Sequence, residues 1–130
     1  MTIVEYISLL ENAGMKVNPL YIEKLKEYSY IYGRFHSNSI YFDEDNSETV
    51  AFYNHHEKAF FISRKLRYRI INNKFRYMAE PTPTNDMTQD FQKFDMKDDE
   101  GITKAINYLS KEYKRINNEI ELKFIKKEFV

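Results

Sequence analysis

The sequence predicts an α+β fold: two N-terminal helices, an antiparallel sheet of three to four strands over about 38–79, a long acidic loop, and a C-terminal helix packed with the sheet. Three observations carry this reading. Apolar residues recur at helical spacing before residue 33 and after residue 98. Between those segments the period changes to two, as half-buried strands require. The 130 residues are enough for one core and too few for two, so 1–130 is expected to be a single domain with 80–98 as a loop inside it.

The first helix is expected over 2–13. Thr2 with Glu5 forms a capping box, Ile3, Ile7 and Leu10 share a face, and Gly14 suits a left-handed stop. A second helix is expected over 18–33, with Asn18 as N-cap, Pro19 at the first helical position and Gly33 at the end. Tyr21, Ile22, Leu25, Tyr28 and Tyr32 line its apolar side. The short link between the two suggests an antiparallel pair.

From about residue 38 the strands begin. "SIYFDED" reads as a short strand running into an acidic turn, and "TVAFYN" as a second. "KAFFISRKLRYRII" is one long strand or two consecutive ones. "KFRYMA" follows across Asn72-Asn73, and asparagine tolerates the positive φ that both central positions of a type I′ hairpin demand. Residues 80–98 hold two prolines and no sustained period, with Phe91, Phe94 and Met96 available to pin them to the body. The last helix starts near Asp98, with Ile102, Ile106, Leu109, Tyr113 and Ile116 on one stripe. Beyond Asn117-Asn118 the residues Ile120, Leu122 and Phe124 alternate like a strand, whereas Ile116, Ile120 and Phe124 continue the helix; continued helix is favoured.

Composition narrows the chemistry. Without cysteine there is no disulfide framework, thiolate nucleophile or cysteine-ligated zinc, which fits a cytoplasmic protein. The start has an acid at Glu5 and no basic flank, unlike a signal peptide. No apolar run approaches the roughly 20 residues of a membrane helix, so no membrane partner is expected. No phosphate loop, nucleophile elbow or paired-carboxylate motif is present, and the expectation is a protein that binds and is not an enzyme, with no cofactor.

Net charge is zero, yet the charges are segregated. Residues 39–57 carry Asp43, Glu44, Asp45, Glu48 and Glu57 without a lysine or arginine. Residues 58–79 carry Lys58, Arg64, Lys65, Arg67, Arg69, Lys74 and Arg76 without an acid. The chain then turns acidic again from Glu80 to Glu100. Such blocks create local fields that a zero total conceals.

Placing Asn72-Asn73 at the turn sorts the hairpin into two faces. Leu66, Tyr68, Ile70, Phe75 and Tyr77 fall on one side, and Arg67, Arg69, Lys74 and Arg76 on the other, extended by Lys65 if the strand is continuous. Arg69 then opposes Arg76, a like-charge pair that costs a few tenths to about 1 kcal/mol. The basic side is therefore neutralised within the molecule, with Asp90, Asp95 or Asp98 of the following loop as candidates, or left for an external anion. Guanidinium forks suit phosphates and carboxylates. Tyr68 and Tyr77 lie opposite the arginines, which favours backbone phosphate or an acidic protein surface over base reading.

Other clusters read as structural. His55-His56-Glu57 and the acids 43–45 are expected to be solvated turns, since neither has metal-site spacing. His36 lies beside Ser37 and Ser39 without a visible orienting acid. In size, lack of cysteine, segregated charge and missing catalytic set, the chain resembles the small inhibitors that phages and mobile elements use against host defences, including anti-CRISPR proteins. The resemblance implies a protein or nucleoprotein partner blocked by surface occupation. Two surfaces compete for that role: the basic hairpin face, or a phosphate mimic formed by Asp86, Asp90, Asp95, Asp98, Asp99 and Glu100. The alternative is a nucleic-acid-binding module that sets the basic face on phosphates. Oligomeric state is left open, because "KFRYMA" could pair with its copy at the sheet edge.

Overall fold

The computed structural model describes residues 1–36, 42–43, 47–79 and 90–128. Its first element, helix α1 (Ile3–Asn12), starts where the capping box places it. Glu5 N donates to Thr2 Oγ1 at 3.1 Å and Thr2 N to Glu5 Oε1 at 3.2 Å, so two orphan donors are satisfied reciprocally. Those bonds hold the exposed Glu5 carboxyl below its ordinary pKa. Gly14 then reverses the chain at φ 105°, and a Cβ there would meet Tyr113 Cε1 at 2.8 Å. Both the backbone and the neighbour require glycine.

The second expected helix is absent, and this is the largest correction to the sequence reading. Residues 18–33 lie in an antiparallel hairpin of β1 (Met15–Ile22) and β2 (Glu27–Phe35), in register from Met15↔Phe35 to Ile22↔Glu27 with a bulge at Leu20/Tyr21. Lys26 takes φ 51° in the turn. The cap-like Asn18-Pro19 pair misled because proline is equally at home on a strand with one neighbour, and β1 is an edge. In β2, Tyr28, Tyr30 and Tyr32 alternate with Ile31, Gly33 and Phe35, and aromatic and β-branched residues favour the pleat over the helix.

Strands β3 (Ala51–Asn54) and β4 (Ala59–Ser63) continue the sheet. A further strand, β7 (Phe91–Asp95), pairs antiparallel with β4 inside the segment expected to be loop, while residues 80–89 lie outside the described part. The order is β1-β2-β3-β4-β7, five strands where three or four were expected. Most of "SIYFDED" also lies outside the described residues; Phe42 makes a parallel bridge to Phe75.

Strands β5 (Leu66–Ile71) and β6 (Lys74–Ala79) form a separate two-stranded ribbon. The stretch 58–71 is therefore two strands. Ser63, buried at the corner, donates from Oγ to the Lys65 carbonyl at 2.6 Å. The C-terminal helix, α2 (Asp99–Glu128), runs 30 residues and continues through Asn117-Asn118 as favoured. Ile102, Ile106, Leu109, Ile116 and Ile120 are buried along it, whereas Leu122 is exposed, the pattern of a helix and not a strand.

The core lies between one face of the five-stranded sheet and the two helices, with the ribbon's inner side closing one end. Tyr6 of α1 stacks on Phe60 of β4 with ring centroids 3.9 Å apart. Phe35 stacks on Tyr113 of α2. Each fully buried large apolar side chain contributes about 1.5–3 kcal/mol. Among the described residues no helix is long and apolar enough to cross a membrane.

Candidate functional site

The ribbon has the register its sequence implies. Ile71 pairs with Lys74, Ile70 with Phe75, Arg69 with Arg76, Tyr68 with Tyr77 and Arg67 with Met78. Asn72 and Asn73 take φ of 53° and 63°, the type I′ pair. Alternation then does the sorting. Leu66, Phe75 and Tyr77 are buried on the inner side, with Tyr68 half-buried and Ile70 exposed near the tip. Arg67, Arg69 and Lys74 are exposed on the outer side, and Arg76 is half-buried there.

Hydrogen bonds from Tyr68 and Tyr77 help fix the inner side to α2. The Tyr77 hydroxyl bonds Asn117 Oδ1. Lys123 Nζ donates to the Tyr68 hydroxyl at 2.8 Å and lies 5.4 Å from the ring centroid. Donating this hydrogen bond to Tyr68 raises the Lys123 pKa above its ordinary value. The free edge of β6 is covered as well. Asp43 N donates to the Phe75 carbonyl at 2.7 Å and Glu48 N to the Tyr77 carbonyl at 2.9 Å. Tyr77 N donates to Ser47 Oγ at 3.3 Å. The Phe75 carbonyl and both backbone groups of Tyr77, which could have paired with a second copy of "KFRYMA", are thus already engaged.

The outer side holds Arg67, Arg69, Lys74 and Arg76, and Asp43 lines the same cleft as Lys74 and Arg76. Among the described residues no salt bridge joins a carboxylate to Arg69, Lys74 or Arg76. Arg76 Nε is buried with no hydrogen-bond partner. Lys65 stands apart from the other four: it is exposed in the joint between β4 and β5, just before the β5–β6 register begins at Leu66.

The acids expected to answer or rival these cations have other tasks. Asp95 Oδ1 accepts from Lys97 N at 2.8 Å, and Asp98 Oδ1 accepts from Gly101 N at 3.0 Å. Asp99 pairs with the N-terminal ammonium at 2.6 Å, and Glu100 with Lys104 at 3.2 Å. Asp98, Asp99 and Glu100 therefore serve the start of α2, where negative charge complements the helix dipole. Asp86 lies outside the described residues. Asp90 is different: its Oδ1 is buried without a hydrogen-bond partner.

The histidine cluster is a turn. Asn54 Oδ1 accepts from His56 N, and His55 Nε2 lies 3.3 Å from Glu27 Oε1. Among the described residues no three His, Asp or Glu side chains gather as metal ligands would. The His36 carbonyl accepts from the Tyr113 hydroxyl, and Ser37 and Ser39 lie outside the described residues.

A second feature was not anticipated. On the sheet face away from the helices, Tyr32, Phe52 and Phe61 form one cross-strand row, and Tyr30 lies beside Tyr32. A cavity of about 440 Å³ opens there, lined by Tyr30, Tyr32, Phe52 and Phe91 with Met78, Glu48 and Asp90 among the other wall residues. Its walls come from β2, β3, β6 and β7, so the erroneous helix over 18–33 hid it. The alternation of Tyr28, Tyr30 and Tyr32 was the available signal.

No protein-family model, curated protein or solved structure matches this chain.

Proposed function

We propose that the protein is a small non-enzymatic binding protein that acts by surface occupation, seating the outer side of the β5–β6 ribbon on an anionic face of a nucleoprotein complex. Inhibitors carried by phages and mobile elements work in this manner. The supporting observation is the opposed Arg69–Arg76 pair with Lys74 beside it, held in register on the ribbon and joined to no carboxylate among the described residues. A merely solvated strand face does not need to tolerate such repulsion. The acidic alternative is weaker, because Asp98 and Asp99 are committed to their own helix and to the N-terminus.

Direct seating on nucleic-acid phosphates is a second reading, favoured by one observation. Met78, on the outer side of the ribbon, also lines the aromatic cavity, so base-sized space adjoins the cleft of Arg67 and Arg69. Capture from a lysate with and without nuclease separates the two. Under the first reading a protein partner survives nuclease treatment, and Arg69→Glu with Lys74→Glu abolishes its capture. Retention of the partner by that double variant overturns the ribbon as the interface.

A further inference from the structure

The β5–β6 ribbon is held to the body as far out as Phe75, which is buried, bridged in parallel by Phe42 and hydrogen-bonded through its carbonyl to Asp43 N. Around the turn the chain stands clear: every residue from Arg69 to Lys74 is exposed. Ile70 is 42% and Ile71 46% exposed, on opposite sides of the ribbon. That segment holds Arg69 and Lys74 and no acid. Asp43 shares a cleft with Ile71, Asn72, Lys74 and Arg76, but its backbone is held level with Phe75 and does not lie ahead of the apex. Two isoleucines beside a turn, backed by cations, fit a partner that offers apolar and anionic groups together.

Two such partners differ in what they ask of the apex. A lipid surface has to take up Asn72 and Asn73, whose amides lose water there without gaining partners. A DNA groove presents donors and acceptors on its base edges and phosphates along both rims. Dimensions then select the groove. Ile71 with Asn72, and Asn73 with Lys74, carry the ribbon two residues past the Ile70–Phe75 pair, about 7 Å at ~3.4 Å per residue. The major groove is about 12 Å wide and about 8.5 Å deep and admits a two-stranded ribbon, whereas the minor groove is only about 6 Å wide. Paired strand axes already stand about 4.8 Å apart before side chains are added.

Side-chain chemistry selects the bases. Asparagine bonds adenine bidentately at N6 and N7, and an apolar side chain packs on the thymine methyl group. Asn72 and Asn73 with Ile71 supply both contacts side by side. The geometry points to an apex that reads A·T pairs in the major groove of duplex DNA, with Arg69 and Lys74 on the flanking phosphates. The phosphate half rests on the phosphate-seating reading of the ribbon, and the base half on the exposed apex.

The test is fluorescence anisotropy of the intact chain with matched duplexes of A·T, G·C and inosine·cytosine pairs, beside co-sedimentation with phosphatidylserine vesicles. An inosine·cytosine pair resembles A·T in the minor groove and G·C in the major groove, so it assigns the groove. The A·T duplex is expected to bind about tenfold more tightly than the other two, which should bind alike. Uracil in place of thymine removes the methyl group and should lower that preference, and Ile71→Ser should make the two bases equivalent. Asn72→Gly with Asn73→Gly keeps a turn that accepts positive φ, removes both amides, and should bring A·T down to the level of G·C. The duplex series on the unaltered chain decides the matter even where a variant fails to fold. Equal binding of A·T and G·C, inosine·cytosine tracking A·T, or vesicle binding without duplex binding overturns the inference. Should all duplexes bind equally, with affinity that falls as salt rises and is abolished by Arg69→Glu with Lys74→Glu, base reading fails alone and the phosphate reading stands.

Discussion

Arg69 and Arg76 face each other across the β5–β6 ribbon, and among the described residues neither is joined to a carboxylate. In the proposed function, stability and binding are therefore opposed at this pair. Arg69→Thr is expected to raise the unfolding free energy by a few tenths to about 1 kcal/mol, read as a higher urea midpoint at unchanged slope. The same variant should elute earlier from a heparin column. A lower midpoint would show that the pair is not under repulsive load.

The turn beside that pair should tolerate glycine and little else. Asn72 and Asn73 both hold positive φ. Asn73→Gly is expected to leave stability unchanged or slightly higher. Asn73→Val should cost about 1–2 kcal/mol, because a β-branched residue resists the left-handed region. Urea denaturation of the two variants checks this directly.

Gly14 offers a sharper case. Its φ of 105° and the 2.8 Å approach of Tyr113 to a Cβ act together. Gly14→Ala is expected to lose about 1–3 kcal/mol by thermal or urea unfolding. Wild-type stability in that variant would mean that the α1–β1 joint relaxes without cost.

Two buried tyrosines predict an alkaline limit. Burial pushes the Tyr6 and Tyr77 hydroxyls well above the ordinary tyrosine pKa of 10.0. A group whose folded pKa is raised gives its full stability below the unfolded value and loses it as pH climbs. Above about pH 10 the unfolded chain releases these protons first, so stability should fall by about 1.4 kcal/mol per pH unit for each tyrosine. The Tyr6 hydroxyl is buried with no hydrogen-bond partner, so Tyr6→Phe should match or exceed wild-type stability at neutral pH and lessen the alkaline slope. Urea midpoints between pH 8 and about 11 would show both effects.

The parts of this fold legible in sequence were those specified by neighbouring residues. Thr2 with Glu5 announced α1, and Asn72-Asn73 between strictly alternating flanks announced the ribbon and its register. The stripe from Ile102 to Ile116 announced α2. The second helix failed because Tyr21, Ile22, Leu25, Tyr28 and Tyr32 fit a 3.6 period while Tyr28, Tyr30 and Tyr32 fit a period of two. Tertiary pairing with β3 decided between them. Strand β7 is five residues whose partner, β4, lies about thirty positions earlier, so no local signal marks it. The candidate site divided the same way. The faces of Arg67, Arg69, Lys74 and Arg76 followed from alternation, whereas the aromatic cavity joins four separate strands and needed coordinates.

The central claim is that the ribbon's outer side binds anions, and its most direct measurement is the salt dependence of affinity for an anionic polymer. With the four cations Arg67, Arg69, Lys74 and Arg76 on phosphates, the slope of log affinity against log salt should be about −3 to −4 on duplex DNA. Arg69→Glu with Lys74→Glu, two exposed substitutions, should abolish binding while the urea midpoint holds or rises, because Arg69→Glu also removes the like-charge pair with Arg76. A flat salt response, or unchanged affinity in that double variant, would contradict the claim.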